Sequence, residues 1–153
     1  MGVSLTGAGE YLNLRHTTRS SHLSAEKLMA IASPYTEWVH QLEQKYVAPR
    51  DENDGLSQLI EWDTKRGRDF QCLAQVLYCC EYLPARTAPG MQKLEGYLLR
   101  VDPPVMQFKN EIDNVMSSFW NIASEDRLRA PFTNVQKRVA PIEFVFIGVS
   151  FQA

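Results

Sequence analysis

The sequence predicts an all-α fold, an orthogonal bundle of about five or six helices around a central helix at residues 69–83. Within this helix, apolar side chains recur at the three- and four-residue spacing of one face, at Phe70, Leu73, Ala74, Leu77 and Cys80. A second apolar face leaves only the strip of Gln71, Gln75, Tyr78 and Tyr82 amphiphilic. A helix that is apolar over most of its circumference is typical of one buried among others. Serine–proline and aspartate–proline pairs, which are helix start signals, flank it in the sequence.

Two helices are predicted ahead of the central one. Ser24 is a good N-cap for the first, with Leu23 and Leu28 at the positions of a hydrophobic staple. Ser33-Pro34 starts the second, because serine caps a helix and proline suits its first position. This second helix should run to about residue 46 and bury its apolar side chains, Tyr35, Trp38, Val39, Leu42 and Tyr46. A loop at 47–55 follows, and then a short helical turn that contains Leu56, Leu59 and Ile60.

Three further segments are predicted after the central helix ends at Leu83-Pro84. A loop at 87–90 leads to a short helix with an inner face of Met91, Leu94, Tyr97 and Leu98. Asp102-Pro103-Pro104 then reads as an aspartate cap with prolines in the first turn. The helix it opens should reach about Ser124 and bury one face, Val105, Phe108, Ile112, Val115, Phe119 and Ile122. Residues 141–149 are β-branched and aromatic, and Pro141 favours a helix there over a strand.

The composition excludes several classes of function but does not identify one. The chain has 153 residues, enough for one domain, and its net charge of −2 does not support bulk nucleic-acid binding by a basic surface. No apolar run reaches the ~18 residues of a membrane span, and no secretory signal is visible. The chain has three cysteines, Cys72, Cys79 and Cys80. They lack the spacing of metal ligands and are expected in the core, so neither a metal nor a cofactor is predicted. So few cysteines are typical of a cytosolic or nuclear protein. Nothing in the sequence pairs one of them with His40 as a nucleophile.

The start of the central helix carries an unusual group of cations, Lys65, Arg66 and Arg68. Asp63 or Thr64 is expected to cap this turn, where positive charge is mildly unfavourable because of the helix dipole. The cations either pair with nearby carboxylates or form a phosphate site together with free backbone N–H groups. Glu143 either pairs with Arg66 or Arg68 as a structural ion pair or lies exposed in the first turn of its own helix.

Several motifs occur in order in the chain: residues 62–71 (Trp-Asp-Thr-Lys-Arg-Gly-Arg-Asp-Phe-Gln), Leu94-Glu95, Val101-Asp102-Pro103-Pro104 and residues 138–146 (Arg-Val-Ala-Pro-Ile-Glu-Phe-Val-Phe). With them the chain resembles fungal proteins that carry the GmrSD restriction endonuclease N-terminal domain, a domain of unknown function with a ParB/sulfiredoxin-like core. The resemblance covers about residues 23–151 and implies that they are the helical part that follows this core. The family's Asp-Gly-Gln/Lys-Gln-Arg signature does not occur here, so the resemblance implies no catalytic residue in this chain.

The amino terminus departs from the family pattern in an informative way. The pattern Gly-x-x-Leu-Ser/Thr-x-x-Glu-Lys occurs in two halves, residues 2–6 and residues 23–27. Removing about Gly9 to Leu23 would join them, and Gly9-Glu10-Tyr11 is what a reading frame through a splice donor encodes. We therefore expect residues 1–22 to be a flexible tail that contains translated intron, and residues 23–153 to be a truncated helical subdomain.

The sequence thus leaves three interpretations of function. The first is a non-catalytic helical portion of a GmrSD-like protein, whose parent family is ParB-like nuclease or NTPase. The second is a nucleic-acid or nucleotide phosphate-binding module that uses Lys65, Arg66 and Arg68. The third is a protein–protein interaction domain that uses the apolar surface left by the missing core.

Overall fold

The computed structural model describes residues 23–48, 55–60, 64–82 and 87–125. These ranges contain six α-helices and no strand, which confirms the all-α class, while the orthogonal arrangement stays a prediction. No helix among them is both long and apolar enough to cross a membrane. The helices are α1 (Ala25–Met29), α2 (Pro34–Leu42), α3 (Leu56–Leu59), α4 (Arg68–Glu81), α5 (Met91–Leu98) and α6 (Met106–Ser124). The predicted tail at 1–22 and the predicted helix at 141–149 lie outside the described residues.

Helix α4 is the central element, as the sequence predicted. It packs against α1, α2, α5 and α6, and against the π-helical turn Glu43–Val47 that extends α2. Both of its apolar faces are buried, and nine of its side chains reach at most 7% exposure. Burial of this much apolar surface is the main favourable contribution to folding, so α4 holds the bundle together. Its buried residues are Phe70, Cys72, Leu73, Ala74, Gln75, Val76, Leu77, Cys79 and Cys80.

The predicted starts of α1 and α2 are confirmed by hydrogen bonds at their caps. The Ser24 hydroxyl accepts a hydrogen bond from the backbone N–H of Lys27 at 3.3 Å. The Ser33 hydroxyl accepts one from the N–H of Thr36 at 3.0 Å and also donates one to the Thr36 hydroxyl. Each bond satisfies a backbone donor that the first turn of a helix leaves without an intrahelical partner.

The predicted start of α6 is wrong by one turn. The helix begins at Met106 with Val105 at the N-cap, and Asp102 lies exposed in the preceding segment. An N-cap at Asp102 would make Pro103 the first helical residue, but Pro103 precedes Pro104, and a residue that precedes proline disfavours the helical conformation. Val105 is 66% exposed rather than buried, whereas Phe108, Ile112, Val115 and Phe119 of the predicted inner face are buried and Ile122 is half-buried.

One residue of the predicted amphiphilic strip on α4 is buried. Gln75 is 7% exposed because the segment before α5 covers it, and its Nε2 donates a hydrogen bond to the carbonyl oxygen of Pro89 at 3.1 Å. Its Oε1 has no hydrogen-bond partner among the described residues. The amide therefore links α4 to the 87–90 loop, an interaction that helical periodicity alone does not reveal.

Candidate functional site

The predicted cations lie together on the turn that leads into α4. Lys65, Arg66 and Arg68 are all exposed, and residues 65–67 form a 3₁₀-helical turn. Of the two predicted caps, Thr64 is wrong, because its side chain makes no capping hydrogen bond and Gly67 occupies the N-cap of α4, and Asp63 lies outside the described residues. Since glycine has no side chain with which to cap, the first backbone N–H groups of α4 receive no N-cap hydrogen bond.

Two successive residues of this turn have a left-handed backbone conformation. Arg66 has a φ of 56° and Gly67 a φ of 72°. Gly67 is buried, and a Cβ atom at this position would lie 2.5 Å from Sδ of Met29 and 3.2 Å from Cβ of Ala25. Glycine is therefore favoured at this position for two reasons, the left-handed backbone conformation and the close approach of α1. Arg66 is in a region that residues other than glycine seldom occupy.

A histidine and two carboxylates meet just behind this turn. Nδ1 of His40 lies 2.8 Å from Oε1 of Glu43, and its Nε2 lies 3.2 Å from the carbonyl oxygen of Met29. A carbonyl oxygen can only accept, so Nε2 of His40 carries the hydrogen of that bond. The imidazole also packs against the ring of Phe70, with centroids 4.9 Å apart. Asp69 completes the cluster, close enough to Glu43 for its charge to act on that carboxyl group.

The environment of Glu43 favours its protonated form. Burial and the negative charge of Asp69 raise the pKa of Glu43 to about 7, although the bond with His40 acts in the opposite direction. Burial disfavours the charged carboxylate, and the neighbouring negative charge of Asp69 disfavours it further, which explains the direction of the shift. Such a carboxyl group can serve as a proton donor near neutral pH. Glu43 also lies where the π-helical turn meets α4.

His40 helps to line a shallow groove of about 540 Å³ between α1 and α2.

The cysteines are in the core, as the sequence predicted. Cys72, Cys79 and Cys80 are all free and buried. Burial raises the pKa of the Cys80 thiol to about 12 and also raises the pKa of Cys79. Because the thiolate is the reactive species, neither residue is suited to nucleophilic chemistry. Within the described ranges, no group of three or more His, Cys, Asp or Glu residues is placed to hold a metal ion.

A second polar cluster lies at the opposite end of α4. The carboxylate of Glu81 accepts hydrogen bonds at Oε1 from the hydroxyls of Tyr35 and Tyr97, at 3.2 and 3.0 Å. Nη1 of Arg100 donates to its other oxygen, Oε2. The guanidinium of Arg100 also lies over the Tyr35 ring, 4.5 Å from its centroid. One carboxylate thus connects α2, α4 and α5 with the segment that follows α5.

This cluster also changes the protonation of its members. Burial and the Glu81 carboxylate raise the pKa of Tyr35 to about 12, and the same two causes raise that of Tyr97. Burial, the largest single cause, lowers the pKa of Arg100, but the hydrogen bond to Glu81 and the negative charge of Glu81, together with smaller contributions from Tyr35 and Tyr82, outweigh it, so that this pKa is raised. The sequence gives no local sign of this cluster, because Glu81 and Arg100 lie in different segments and no short spacing connects them.

The chain matches no protein-family model, no curated protein and no solved structure. The resemblance to the GmrSD N-terminal domain therefore stays a prediction. The predicted pairing of Arg66 or Arg68 with Glu143 also stays one, because Glu143 lies outside the described residues.

Proposed function

We propose that this chain is the non-catalytic helical part of a GmrSD N-terminal-domain-like protein and that it supports a ParB-like core in the cytosol or nucleus. The observation that carries the proposal is that residues of the motif at 62–71 lie at contacts between helices. Among the described members of the motif, Gly67, Asp69 and Phe70 take part in this packing. We call this arrangement the α4 junction, formed by Ala25, Met29, His40, Glu43 and these three residues.

Three residues of the motif contribute to the α4 junction. Gly67 lets α1 approach the start of α4, because any larger residue would meet Met29 and Ala25. Phe70 is fully buried beneath the His40 ring, and Asp69 lies beside Glu43 of the π-helical turn. A motif whose residues hold three helices together is what a supporting subdomain requires.

Full-length transcript sequencing across the 5′ end of the gene tests this proposal. The expected result is an upstream exon that encodes an Asp-Gly-Gln/Lys-Gln-Arg signature, spliced in frame to codons near Thr6 or Glu26. Transcripts that retain the codons for residues 9–22 in every read and encode no such signature would contradict it. The signature would identify the catalytic core that this chain supports.

A phosphate-binding module is the second candidate function. It is favoured by three exposed cations, Lys65, Arg66 and Arg68, beside first-turn N–H groups that no N-cap side chain satisfies. Reversal of all three charges should abolish salt-sensitive binding of a labelled oligonucleotide. Reversal of Lys109, on α6, controls for a general loss of positive charge. Equal binding by the triple variant and the parent would rule out this candidate.

An interaction domain is the third candidate. Four large apolar side chains between the end of α5 and the start of α6 are strongly exposed, at Leu99, Val101, Val105 and Met106. Contiguous exposed apolar surface often marks a protein contact, and here the expected partner is the ParB-like core. Without nucleic acid, the purified chain should associate with increasing concentration, and Val101→Ser with Met106→Ser should prevent this. A chain that stays monomeric at all concentrations and does not bind the core would contradict the candidate.

A further inference from the structure

A pocket of about 420 Å³ lies between the end of α4 and the outer side of α5. Three tyrosines and two cations contribute to its wall. Its lining residues are Tyr78, Tyr82, Lys93, Gly96, Tyr97 and Arg100. Its volume is within the range of about 300–1,000 Å³ that is common for small-molecule sites. We call it the tyrosine pocket.

The tyrosines of this pocket leave aromatic surface for a ligand. The ring of Tyr97 is buried and makes edge contacts with Tyr78 and Tyr82, at centroid distances of 5.5 and 6.0 Å. Tyr78 and Tyr82 are tilted by 53° to each other, so neither covers the other face to face. Tyr82 is 49% exposed. A planar ligand can therefore stack against Tyr82 without displacing a core side chain.

Gly96 has no side chain and so leaves one wall of the tyrosine pocket open. A Cβ atom at this position would meet nothing within 4 Å. Gly96 is exposed within α5, and helical backbone does not require glycine. The position thus offers a way to fill the pocket from outside without changing the core.

The charge of the pocket selects against a cationic ligand. A cage of tyrosines suits a quaternary ammonium group, but Lys93 and Arg100 lie in the wall of this one. Glu81, the neighbouring carboxylate, is already bound by Arg100 and by the hydroxyls of Tyr35 and Tyr97. Lys93 is exposed, so its ammonium group can approach an anion.

The same arrangement disfavours phosphotyrosine as the ligand. Recognition of a phosphoryl group on a peptide typically uses arginine with both guanidinium nitrogens directed at the phosphate. Arg100 instead donates to Glu81 and lies over the rings of Tyr35 and Tyr97. An aromatic surface next to a lysine instead suits a base with a phosphate attached, as in the stacking sites of single-strand binders.

We propose that the tyrosine pocket binds a nucleoside monophosphate unit, with the base against Tyr82 and the phosphate close to Lys93. The unit is either a free mononucleotide or one residue of a single-stranded nucleic acid. The site is separate from the cations at the start of α4. The proposal goes beyond the supporting role proposed above and does not depend on it.

The test is an NMR titration of the full-length, ¹⁵N-labelled chain with AMP, with UMP and with a short oligothymidylate. The amide signals of Gly96 and Tyr97 are expected to shift during the titration. Tyr82→Ala and Lys93→Glu should each weaken binding by roughly tenfold or more, in line with the loss of a stacking base or a phosphate contact. Gly96→Leu should weaken it equally by filling the pocket. Leu99→Ala and Lys109→Glu are the matched controls and should leave the affinity unchanged.

The two sources of the ligand give different results. Equal affinity for a mononucleotide and the oligothymidylate supports a free nucleotide, whereas much tighter, salt-sensitive binding of the oligothymidylate supports a single strand. Three results would overturn the proposal. They are no amide shift in α5 with any of the probes at millimolar concentration, shifts confined to residues 65–68, and binding of a phosphotyrosine peptide in place of the nucleotides.

Discussion

The hydroxyl of Tyr97 donates a hydrogen bond of 3.0 Å to Oε1 of Glu81, which precedes it by sixteen positions in the chain. Tyr35 donates to the same oxygen at 3.2 Å, and Arg100 binds the other oxygen. The side chains of Glu81 and Arg100 are 21% and 33% exposed, so the pair is partly shielded from water. A charge in this setting is stable because three groups from different segments satisfy it.

Replacing Glu81 with glutamine should therefore destabilise the protein. The variant keeps an acceptor for the tyrosine hydroxyls but leaves the Arg100 guanidinium without its anion. We expect the free energy of unfolding to fall by about 1–3 kcal/mol, as measured by urea denaturation at neutral pH. Glu37→Gln, at an exposed position in the first turn of α2, is the control and should change it by less than ~0.5 kcal/mol. Equal effects of the two substitutions would show that the Glu81 cluster does not stabilise the fold.

The carboxyl group of Glu43 should make stability depend on pH. Its pKa is raised from 4.5 to about 7 by burial and by Asp69, so the folded chain binds this proton more tightly than the unfolded chain. The resulting stabilisation is fully present below about pH 4.5 and is lost as the pH rises through about 7. Glu43→Gln cannot ionise, and its amide, which has both a donor and an acceptor, can still hydrogen-bond to His40.

We therefore expect Glu43→Gln to gain stability over the parent protein as the pH rises from about 5 to about 8, by an amount on the order of 1–2 kcal/mol. Urea denaturation at several pH values measures this difference. Glu26→Gln, at an exposed position in α1, should follow the parent curve at every pH. A pH-independent difference between Glu43→Gln and the parent would show that the pKa of Glu43 is not raised in the folded protein.

Much of the described fold could be predicted from the sequence, because helices of this length carry local signals in their capping residues and in the spacing of their apolar residues. Ser24 and Ser33-Pro34 marked two helix starts correctly, and the three- and four-residue spacing located the buried faces of α4 and α6. The start of α6 failed because two consecutive prolines keep the residues before them out of the helical conformation.

The candidate sites were predicted only in part, because they depend on contacts between distant segments. The cations at 65–68 were visible as a local group, but the left-handed turn through Arg66 and Gly67 was not. His40, Glu43 and Asp69 come together only when α2 packs on α4. Helical periodicity fixes which face of a helix is buried, but not which partner it meets.

The three cysteines should be unreactive in the folded protein. Cys72, Cys79 and Cys80 are buried, and burial raises the pKa of the last two thiols, so little thiolate is available near neutral pH. Titration with Ellman's reagent should find almost no reaction in buffer and all three thiols of the chain in concentrated urea. Rapid reaction of one or more thiols without urea would contradict the packing of α4.

Substitution of two glycines by alanine should change stability in opposite directions. Gly67→Ala places a methyl group in a left-handed residue with a φ of 72° and directs it at Met29 and Ala25. We expect the free energy of unfolding to fall by about 1–3 kcal/mol, since both the backbone conformation and the space favour glycine. Gly96→Ala is the matched control, because Gly96 is helical and its added methyl group would meet nothing within 4 Å.

Gly96→Ala should raise the free energy of unfolding by up to about 1 kcal/mol, because alanine loses less conformational entropy in a helix than glycine. Urea denaturation of both variants beside the parent protein measures the two changes under the same conditions. If Gly67→Ala proved neutral or stabilising, Gly67 would not be needed for the close contact of α1 and α4. The packing at the α4 junction would then no longer explain the motif at residues 62–71.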